Sequence, residues 1–239
     1  MYQEFPSRPA RLRAVRAEWQ RTASATDDEI LVLPDGCADI VWRSDGQLFV
    51  AGPDLGPVIH PHPSGTGFVG IRLEPGAAAT VLGVAADELR DQRVPLAALW
   101  GPDAQWLAER LAESSSDTNR RALLARVVGE RIGHVGLDDR VLAAARELEL
   151  GRRRVADVAE RVGLSDRNLH RRFVRQVGYG PKTFARVMRL RRFLALGENA
   201  AGGGLATMAA VAGYADQAHL SRECRRLTGR SPAELVSAA

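Results

Sequence analysis

Two short segments of the sequence concentrate arginine, histidine, serine and amide side chains at helical spacing. They are "GLSDRNLHRRFVRQVGYGP", residues 163–181, and "GYADQAHLSRECRRLTGRSP", residues 213–232. Arginine and glutamine can form paired hydrogen bonds with guanine and adenine edges, and serine or histidine can supplement them. The candidate DNA-contacting residues are Ser165, Arg167, Asn168, His170, Arg171 and Arg175 in the first segment and Gln217, Ser221, Arg222 and Arg225 in the second.

Both segments lie in the basic part of the chain. Residues 151–239 hold 17 basic and 7 acidic residues, a net charge of +10, whereas residues 1–150 hold 16 and 22, a net charge of −6. A domain with this excess attracts polyanions, because neutralising phosphates releases their condensed counterions. A solvated basic face is the alternative interpretation of the charge alone.

The two segments are copies of one structural unit. Before each of them, in "VADVAERV" and in "LATMAAVA", apolar residues recur at i, i+3, i+4 and i+7, which predicts a short helix. Gly163 and Gly213 should end these helices, and Ser165 and Asp216 can cap the helices that follow. A helix, a glycine turn and a capped second helix form a helix-turn-helix, and the chain contains this unit twice.

A helical hairpin alone is usually a packing unit, so the open face of its second helix decides its role. Leu169 and Phe173 should face inward in the first unit, as should Leu220 and Cys224 in the second. The polar residues then lie on the open faces. Faces this rich in arginine indicate contact with bases or phosphates rather than simple solvation.

The last hundred or so residues, from about Asp138 to Ala239, resemble the DNA-binding domain of AraC/XylS-type transcription regulators. The matching stretches are "VADVAERVGLSDRNLHRRF", "GYGPKTFARVMRLRR" and "LATMAAVAGYADQAHLSRECRRLTGRSPAEL". The resemblance implies that the two units lie in successive major-groove segments on one face of the DNA, about 34 Å apart. It places the base-reading positions at Arg167, His170 and Arg171 in the first unit and at Gln217, Ser221 and Arg222 in the second.

The resemblance also predicts a long helix between the two units. This helix should run from about Lys182 to Leu196 and end at Gly197, and the glycines at 202–204 should form the turn into the second unit. Cys224 stands where the family usually has phenylalanine. We expect this smaller side chain to loosen the packing of the second unit.

The first part of the chain has the pattern of a β-structure. The apolar runs "ILVL", "DIVW", "LFVAG" and "GFVGIRL" have the length of strands, and Pro34-Asp35-Gly36 and Asp45-Gly46 between them are strong turn signals. Strands at this spacing predict a small antiparallel barrel or sandwich. From about Ala85 the pattern becomes helical, in "ADELRDQ", "PDAQWLAERLAE" and "RRALLARVVGERIG", and "SSSDTN" at 114–119 should be a loop between two of these helices.

The helices after Ala85 carry apolar stripes. These stripes can pack on the barrel or pair across a dimer, and packing within the chain is the commoner outcome. The stripe residues are Trp106, Leu107, Leu111, Leu124, Val127 and Val128.

"LPDGCADIVW" and the following "AGP" resemble a domain found at the N-terminus of many actinobacterial AraC-type regulators. This resemblance covers about the first hundred residues. It implies a sensor or regulatory role and names no effector.

Other chemistry in this part of the chain is sparse. His60 and His62 have the spacing that puts two imidazoles on one face of a strand, as in cupin enzymes, and Cys37 could add a soft ligand. The acid that this motif requires is missing from residues 63–67, and Pro61 interrupts a central strand, which favours a loop with solvated histidines. Cys37 as a sensor thiol stays open as an alternative.

These patterns predict an α+β fold. Residues 1–135 should form a regulatory domain, a small antiparallel β barrel or sandwich over 1–84 with flanking helices over 85–135. Residues 138–239 should form an all-α domain of two helix-turn-helix units joined by a long helix. The predicted function is a sequence-specific DNA-binding transcription regulator, not an enzyme, whose N-terminal domain senses a small molecule or dimerises. The alternative is a cupin-like metal-dependent protein or enzyme with a DNA-binding tail.

The expected partners are double-stranded DNA, RNA polymerase, a small-molecule effector and a second copy of the chain. No cofactor or metal is expected, and two cysteines in the whole chain exclude a four-cysteine zinc site. The sequence contains neither an apolar run long enough to span a membrane nor the apolar stretch of a secretory signal at its start, so the cytoplasm is the expected location.

Overall fold

The computed structural model describes residues 1–6, 13–22, 28–133, 136–198 and 204–237. An N-terminal part built on antiparallel sheets precedes a C-terminal part built from helices. This is the α+β architecture that the sequence predicts. Of the glycines expected to form the turn into the second unit, those at 202 and 203 lie outside the described residues.

The strands form two antiparallel sheets, the larger in the order β1-β2-β7-β4-β5-β8 and the smaller from β3 and β6. The four predicted apolar runs are confirmed as β3, β4, β5 and β7, whereas the other four strands were not predicted. In chain order the strands are β1 (Tyr2–Pro6), β2 (Val15–Thr22), β3 (Asp28–Val32), β4 (Asp39–Arg43), β5 (Leu48–Ala51), β6 (Val58–His62), β7 (Gly67–Leu73) and β8 (Arg93–Pro95).

Strand β8 lies within the segment that the sequence predicts to be helical. Only a short 3₁₀ helix, Ala86–Leu89, forms where a longer helix is predicted from "ADELRDQ". The chain then reverses at Asp91, which has a φ of +58°. This reversal brings Val94 opposite Val50, so that β8 extends the larger sheet beside β5.

Helices cover one face of the larger sheet. Leu107, Leu111, Leu124 and Val128 are buried in one core with strand residues, so the apolar stripes pack within the chain, while Trp106 remains 48% exposed. The predicted loop at 114–119 is shorter than expected, because Ser116 caps a helix that begins at 117. These helices are α1 (Ala78–Leu82), α2 (Ala97–Trp100), α3 (Pro102–Glu113) and α4 (Asp117–Ile132).

The C-terminal part contains both predicted helix-turn-helix units. All four residues expected to face inward, Leu169, Phe173, Leu220 and Cys224, are fully buried in a second core. Its helices are α5 (Asp139–Leu150), α6 (Val155–Arg161), α7 (Asp166–Val177), α8 (Pro181–Glu198), α9 (Leu205–Ala212), α10 (Gln217–Thr228) and α11 (Pro232–Ser237).

The connecting helix α8 does not end at Gly197, as the sequence predicts, but continues through it to Glu198. A glycine inside a helix costs only about 1 kcal/mol relative to alanine, so tertiary packing can override it. The packing here is close: a Cβ on Gly197 would lie 3.2 Å from Cγ2 of Val236 in α11. Gly197 therefore permits a helix contact instead of stopping the helix.

Candidate nucleic-acid interface and ligand cavity

The first helix-turn-helix consists of α6 and α7. Gly163 makes the turn with a φ of +68°, and the Ser165 hydroxyl accepts a hydrogen bond from the Asn168 backbone N–H at 3.4 Å. The predicted glycine turn and serine cap are confirmed. Because the Ser165 side chain caps α7, it stabilises the start of the helix that carries the candidate base-reading residues.

The open face of α7 carries the residues that the sequence singles out. Arg167, Asn168, His170, Arg171 and Arg175 are all exposed. A guanidinium nitrogen of Arg171 donates to the side-chain oxygen of Asn168 at 3.1 Å, which links two of them along the helix. The side chains are therefore available to an external partner.

The His170 ring lies against the turn that follows α7. A Cβ on Gly180 would come within 2.6 Å of the ring carbon Cε1. The absence of a side chain at Gly180 therefore leaves the space in which this histidine sits.

The second unit, α9 and α10, repeats this geometry. Gly213 has a φ of +91°, and an Asp216 carboxylate oxygen accepts from the His219 N–H at 2.6 Å, which confirms the predicted cap. Gln217, Arg222 and Arg225 are exposed on α10.

Ser221 is the one candidate on α10 whose side chain is already engaged. Its hydroxyl donates to the Gln217 carbonyl oxygen of the same helix at 2.9 Å. It can still accept a hydrogen bond from a base, since a hydroxyl oxygen has two lone pairs.

A bidentate ion pair links the second unit to the connecting helix. The sequence analysis did not predict it. Arg186 on α8 donates to both carboxylate oxygens of Glu223 on α10, at 2.7 and 2.8 Å. Burial raises the pKa of Glu223, but the hydrogen bonds from Arg186, together with the positive charges of Arg186, His219 and Arg226, leave the pKa lowered. The sequence signal for this ion pair was that Glu223 is a single acidic residue in the strongly basic helix α10.

The reading face of α7 opens into a large groove shared with the N-terminal part. Arg171 and Arg175 line this groove together with Asp87 and Glu88, which follow α1. At the end of α7, a Cβ on Gly178 would collide with Pro53. The first unit is thus packed against the N-terminal part, with acidic and basic side chains around one opening.

A second opening is a cavity of about 470 Å³ in the N-terminal part, lined by residues from both sheets. This volume is typical of small-molecule sites. Its walls are mostly apolar and include Trp19, Ile30, Val32, Val41, Phe49 and Phe68.

His60 and His62 belong to this cavity, which corrects the prediction of a loop with solvated histidines. Both lie on β6, an edge strand whose pairing with β3 tolerates Pro61. His62 is 7% exposed and its ring stacks on Phe68 at 4.2 Å. His60 lies 3.1 Å from a guanidinium nitrogen of Arg93, and its pKa is lowered by burial and then by that charge.

Cys37 also lines the cavity, but its surroundings disfavour a reactive thiol. The side chain is buried, and the pKa of the thiol is raised by burial first and by the neighbouring Asp35 carboxylate second. Reactive cysteines are instead partly exposed and have a lowered pKa.

Two domain families match the chain. Residues 158–238 match a helix-turn-helix domain, which spans most of the double unit described above. Residues 3–95 match a domain of unknown function, DUF6597, which includes all eight strands apart from the first residue of β1. The C-terminal part therefore contains an AraC-type helix-turn-helix domain, and the N-terminal part is a DUF6597 domain.

A solved structure shares the fold of this chain. ToxT from Vibrio cholerae superposes with a TM-score of 0.52 at 11% identity, over 94% of this chain and 98% of that chain. ToxT of strain SCE256 bound to an unsaturated fatty acid gives a TM-score of 0.46 at 11% identity, over 92% and 94%. At such identity the likeness concerns the fold alone. None of the curated protein sequences matches the chain.

Two properties of the described residues bear on the other predictions. Within them, no three histidine, cysteine, aspartate or glutamate side chains are grouped so that they could hold a metal ion. None of the helices in these ranges has the length and apolar character needed to cross a membrane.

Proposed function

We propose that the protein is an AraC-type transcription regulator that reads its DNA site with both helices, α7 and α10. The observation that carries the proposal is the repeated geometry: each helix is capped at its start, buries one face and exposes its arginines. The proposed base-reading residues are Arg167, His170, Arg171, Gln217, Ser221 and Arg222, with Asn168, Arg175 and Arg225 near them.

Single arginine variants test this proposal. Arg171→Ala or Arg222→Ala should weaken binding to the preferred site by about 1–3 kcal/mol and relax the base preference in one half of it. Arg126→Ala, which removes an exposed arginine of α4, is the matched control and should leave binding unchanged. Equal losses on preferred and random DNA would show that these arginines touch only phosphates.

We propose that the cavity binds a small-molecule effector, because residues in its wall also contact the DNA-binding part. Leu33 and Asp54 line the cavity, and Leu33 and Leu55 pack against the C-terminal core. Asp35, another wall residue, lies 3.5 Å from Arg191 on α8. A ligand that moves these loops would therefore move the surfaces on which α7 and α8 rest, and so shift the population of DNA-binding states.

A matched pair of leucine variants tests this coupling. Leu55→Ala should change DNA affinity several-fold without contacting DNA, because it loosens the contact between the two parts. Leu150→Ala removes a leucine that is 57% exposed, and it should have no such effect. Equal DNA affinity of both variants and the unaltered protein would contradict the coupling.

The remaining parts of the proposal are the domain boundary, the partners and the location. The boundary lies near Asp138, since Leu137 packs against the first core and Val141 belongs to the second. The exposed Trp106 on α3 makes the helical layer the proposed site of dimerisation. Contact with RNA polymerase, a non-enzymatic role and a cytoplasmic location complete the proposal.

A further inference from the structure

The Arg192 side chain of the connecting helix α8 contacts the ends of two other helices. Its guanidinium nitrogen Nη1 donates to the Glu149 carbonyl oxygen, in the last turn of α5, at 2.5 Å. Its Nε donates to the carbonyl oxygen of Ala212, the last residue of α9, at 3.4 Å. The carbonyls of a last helical turn lack partners within the helix and carry the negative end of its dipole, so a positive charge between two such ends stabilises both. These two hydrogen bonds form the Arg192 bridge between α5 and α9.

The α5 end of the Arg192 bridge is tied to the first helix-turn-helix unit. Arg140 of α5 donates to the Gly163 carbonyl oxygen, in the turn between α6 and α7, at 3.1 Å. Arg172 of α7 donates to Asp138, the residue that caps α5, at 2.9 Å. A shift of α5 would therefore also move α7.

The α9 end of the bridge belongs to the second unit. Ala212 immediately precedes Gly213, which turns the chain from α9 into α10 with a φ of +91°. A Cβ on Gly213 would lie 3.8 Å from Nη2 of Arg192, so the guanidinium lies beside this turn. The hydrogen bond to Ala212 thus holds the turn from which α10 starts.

Other contacts of α8 join it to one unit at a time. The ring of Phe184 packs edge-on against Phe173 of α7, with 5.3 Å between the ring centroids. Arg186 forms the bidentate pair with Glu223 of α10. Arg192 differs from both, because one guanidinium holds the two units together.

Gly151 leaves the space in which this guanidinium lies. It ends α5 with a φ of +66°, and a Cβ on it would come within 2.4 Å of Nη2 of Arg192. Arg192 is half-buried, and its pKa is lowered by burial first and by the charge of Arg189 second. The guanidinium is therefore confined among backbone groups, where its position is well defined.

We propose that Arg192 is a positioning residue: it holds the two helix-turn-helix units in one relative position and thereby sets the spacing between the two DNA segments that the protein accepts. The fixed position of the units concerns the protein alone. The effect on spacing rests on the proposed function, since it requires that both α7 and α10 read DNA.

Spin labels test the fixed position in the absence of DNA. Glu160→Cys and Ala210→Cys place labels at equivalent, exposed positions of α6 and α9, and both native cysteines are buried. Pulsed electron paramagnetic resonance of the full chain should give a narrow distance distribution. Arg192→Met keeps a long, helix-favouring side chain but removes the donors, so it should broaden or shift this distribution. Arg191→Met removes the same charge from the next, exposed position of α8 and should not. An unchanged distribution in Arg192→Met would overturn the proposal.

Gly151→Ala tests the same bridge by pushing the guanidinium away, and it replaces Arg192→Met if that variant does not fold. It should change the distance distribution as Arg192→Met does. The two changes combined should have no further effect, because they break the same bridge. Gly229→Ala is the matched control: Gly229 also ends a helix with a φ of +70°, but nothing lies within 4 Å of its added Cβ. Equal broadening by Gly229→Ala would assign the effect to backbone strain and count against the bridge.

DNA spacing tests the functional consequence. Moving the two selected DNA blocks by one base pair requires one unit to shift by about 3.4 Å and to rotate by roughly 35°. The unaltered protein should bind such sites at least about tenfold more weakly than the selected site. Arg192→Met should bind all these spacings more equally, with its base preference inside each block unchanged, whereas Arg191→Met should keep the spacing preference. The same spacing preference in Arg192→Met as in the unaltered protein would overturn the functional part of the proposal.

The two measurements separate this inference from the proposed function. A broadened distance distribution in Arg192→Met, together with a single-block site for the unaltered protein, would support the bridge and contradict reading by both helices. An unchanged distribution together with a two-block site would contradict the bridge and leave reading by both helices in place.

Discussion

Gly36 of the N-terminal part lies directly against Phe184 of the connecting helix. A Cβ on Gly36 would come within 2.6 Å of the Phe184 ring carbon Cε2, and the φ of Gly36 is +81°. The same loop supplies Leu33, Asp35 and Cys37 to the cavity wall. The loop that would sense a ligand is therefore also in direct contact with the connecting helix.

Gly36→Ala should destabilise the protein by about 1–3 kcal/mol, because it adds both backbone strain and a collision with Phe184. Gly46→Ala is the control, since Gly46 has a φ of +92° but nothing within 4 Å of its added Cβ. Urea unfolding of both variants measures the difference. If Gly46→Ala is equally destabilised, the cost is strain alone and the contact with Phe184 contributes nothing.

Asp39 should make the stability depend on pH. Its folded-state pKa of about 6 is higher than the ordinary aspartate pKa of 3.8, so the folded protein binds the proton more tightly than the unfolded chain. The stabilisation is present below the unfolded pKa and is lost as the pH rises through about 6. Thermal unfolding between about pH 4 and 7 should therefore show a weaker decline with pH in Asp39→Asn than in the unaltered protein.

Asp45→Asn is the control for this pH profile, because its pKa is shifted the other way. Hydrogen bonds from Arg43 lower the pKa of Asp45, so its contribution is lost as the pH falls. Its substitution should leave the decline toward pH 7 intact. An unchanged profile in Asp39→Asn would show that another group causes the decline.

The acids in the shared groove should weaken DNA binding. Asp87 and Glu88 line the groove into which Arg171 and Arg175 face, so they would lie near the phosphates of a duplex bound to α7. The double variant Asp87→Asn, Glu88→Gln should bind DNA several-fold more tightly at low salt, and the difference should shrink as salt screens it. The double variant Glu109→Gln, Glu113→Gln, at exposed positions of α3, is the control for the same change in net charge. Equal gains in both proteins would indicate a general charge effect.

The C-terminal part could be predicted from the sequence because its signals are local. Ser165 and Asp216 cap helices only a few residues away, and Leu169 and Leu220 belong to apolar periods within single helices. Cys224 shows the limit of this reasoning: it is fully buried as expected, while the loosening of its unit stays a prediction.

Features that depend on distant partners could not be predicted. The sequence predicts that α8 ends at Gly197. The contact of Gly197 with Val236 cannot be predicted from the residues around Gly197 in the sequence. Strand β8 is three residues long, and it forms because it pairs with β5 at the edge of the larger sheet. The cavity likewise requires β3 and β6 to lie across from the larger sheet, so the roles of His60 and Arg93 appear only in three dimensions.

Selection of DNA by the full chain from a random pool tests the central claim most directly. Two helix-turn-helix units on one duplex should enrich a site with two conserved blocks about one helical turn apart, roughly 10–10.5 base pairs between centres. Inserting half a turn between the blocks should abolish specific binding, because it rotates them to opposite faces. Enrichment of a single block, or full affinity after the insertion, would contradict the claim that both α7 and α10 read the site.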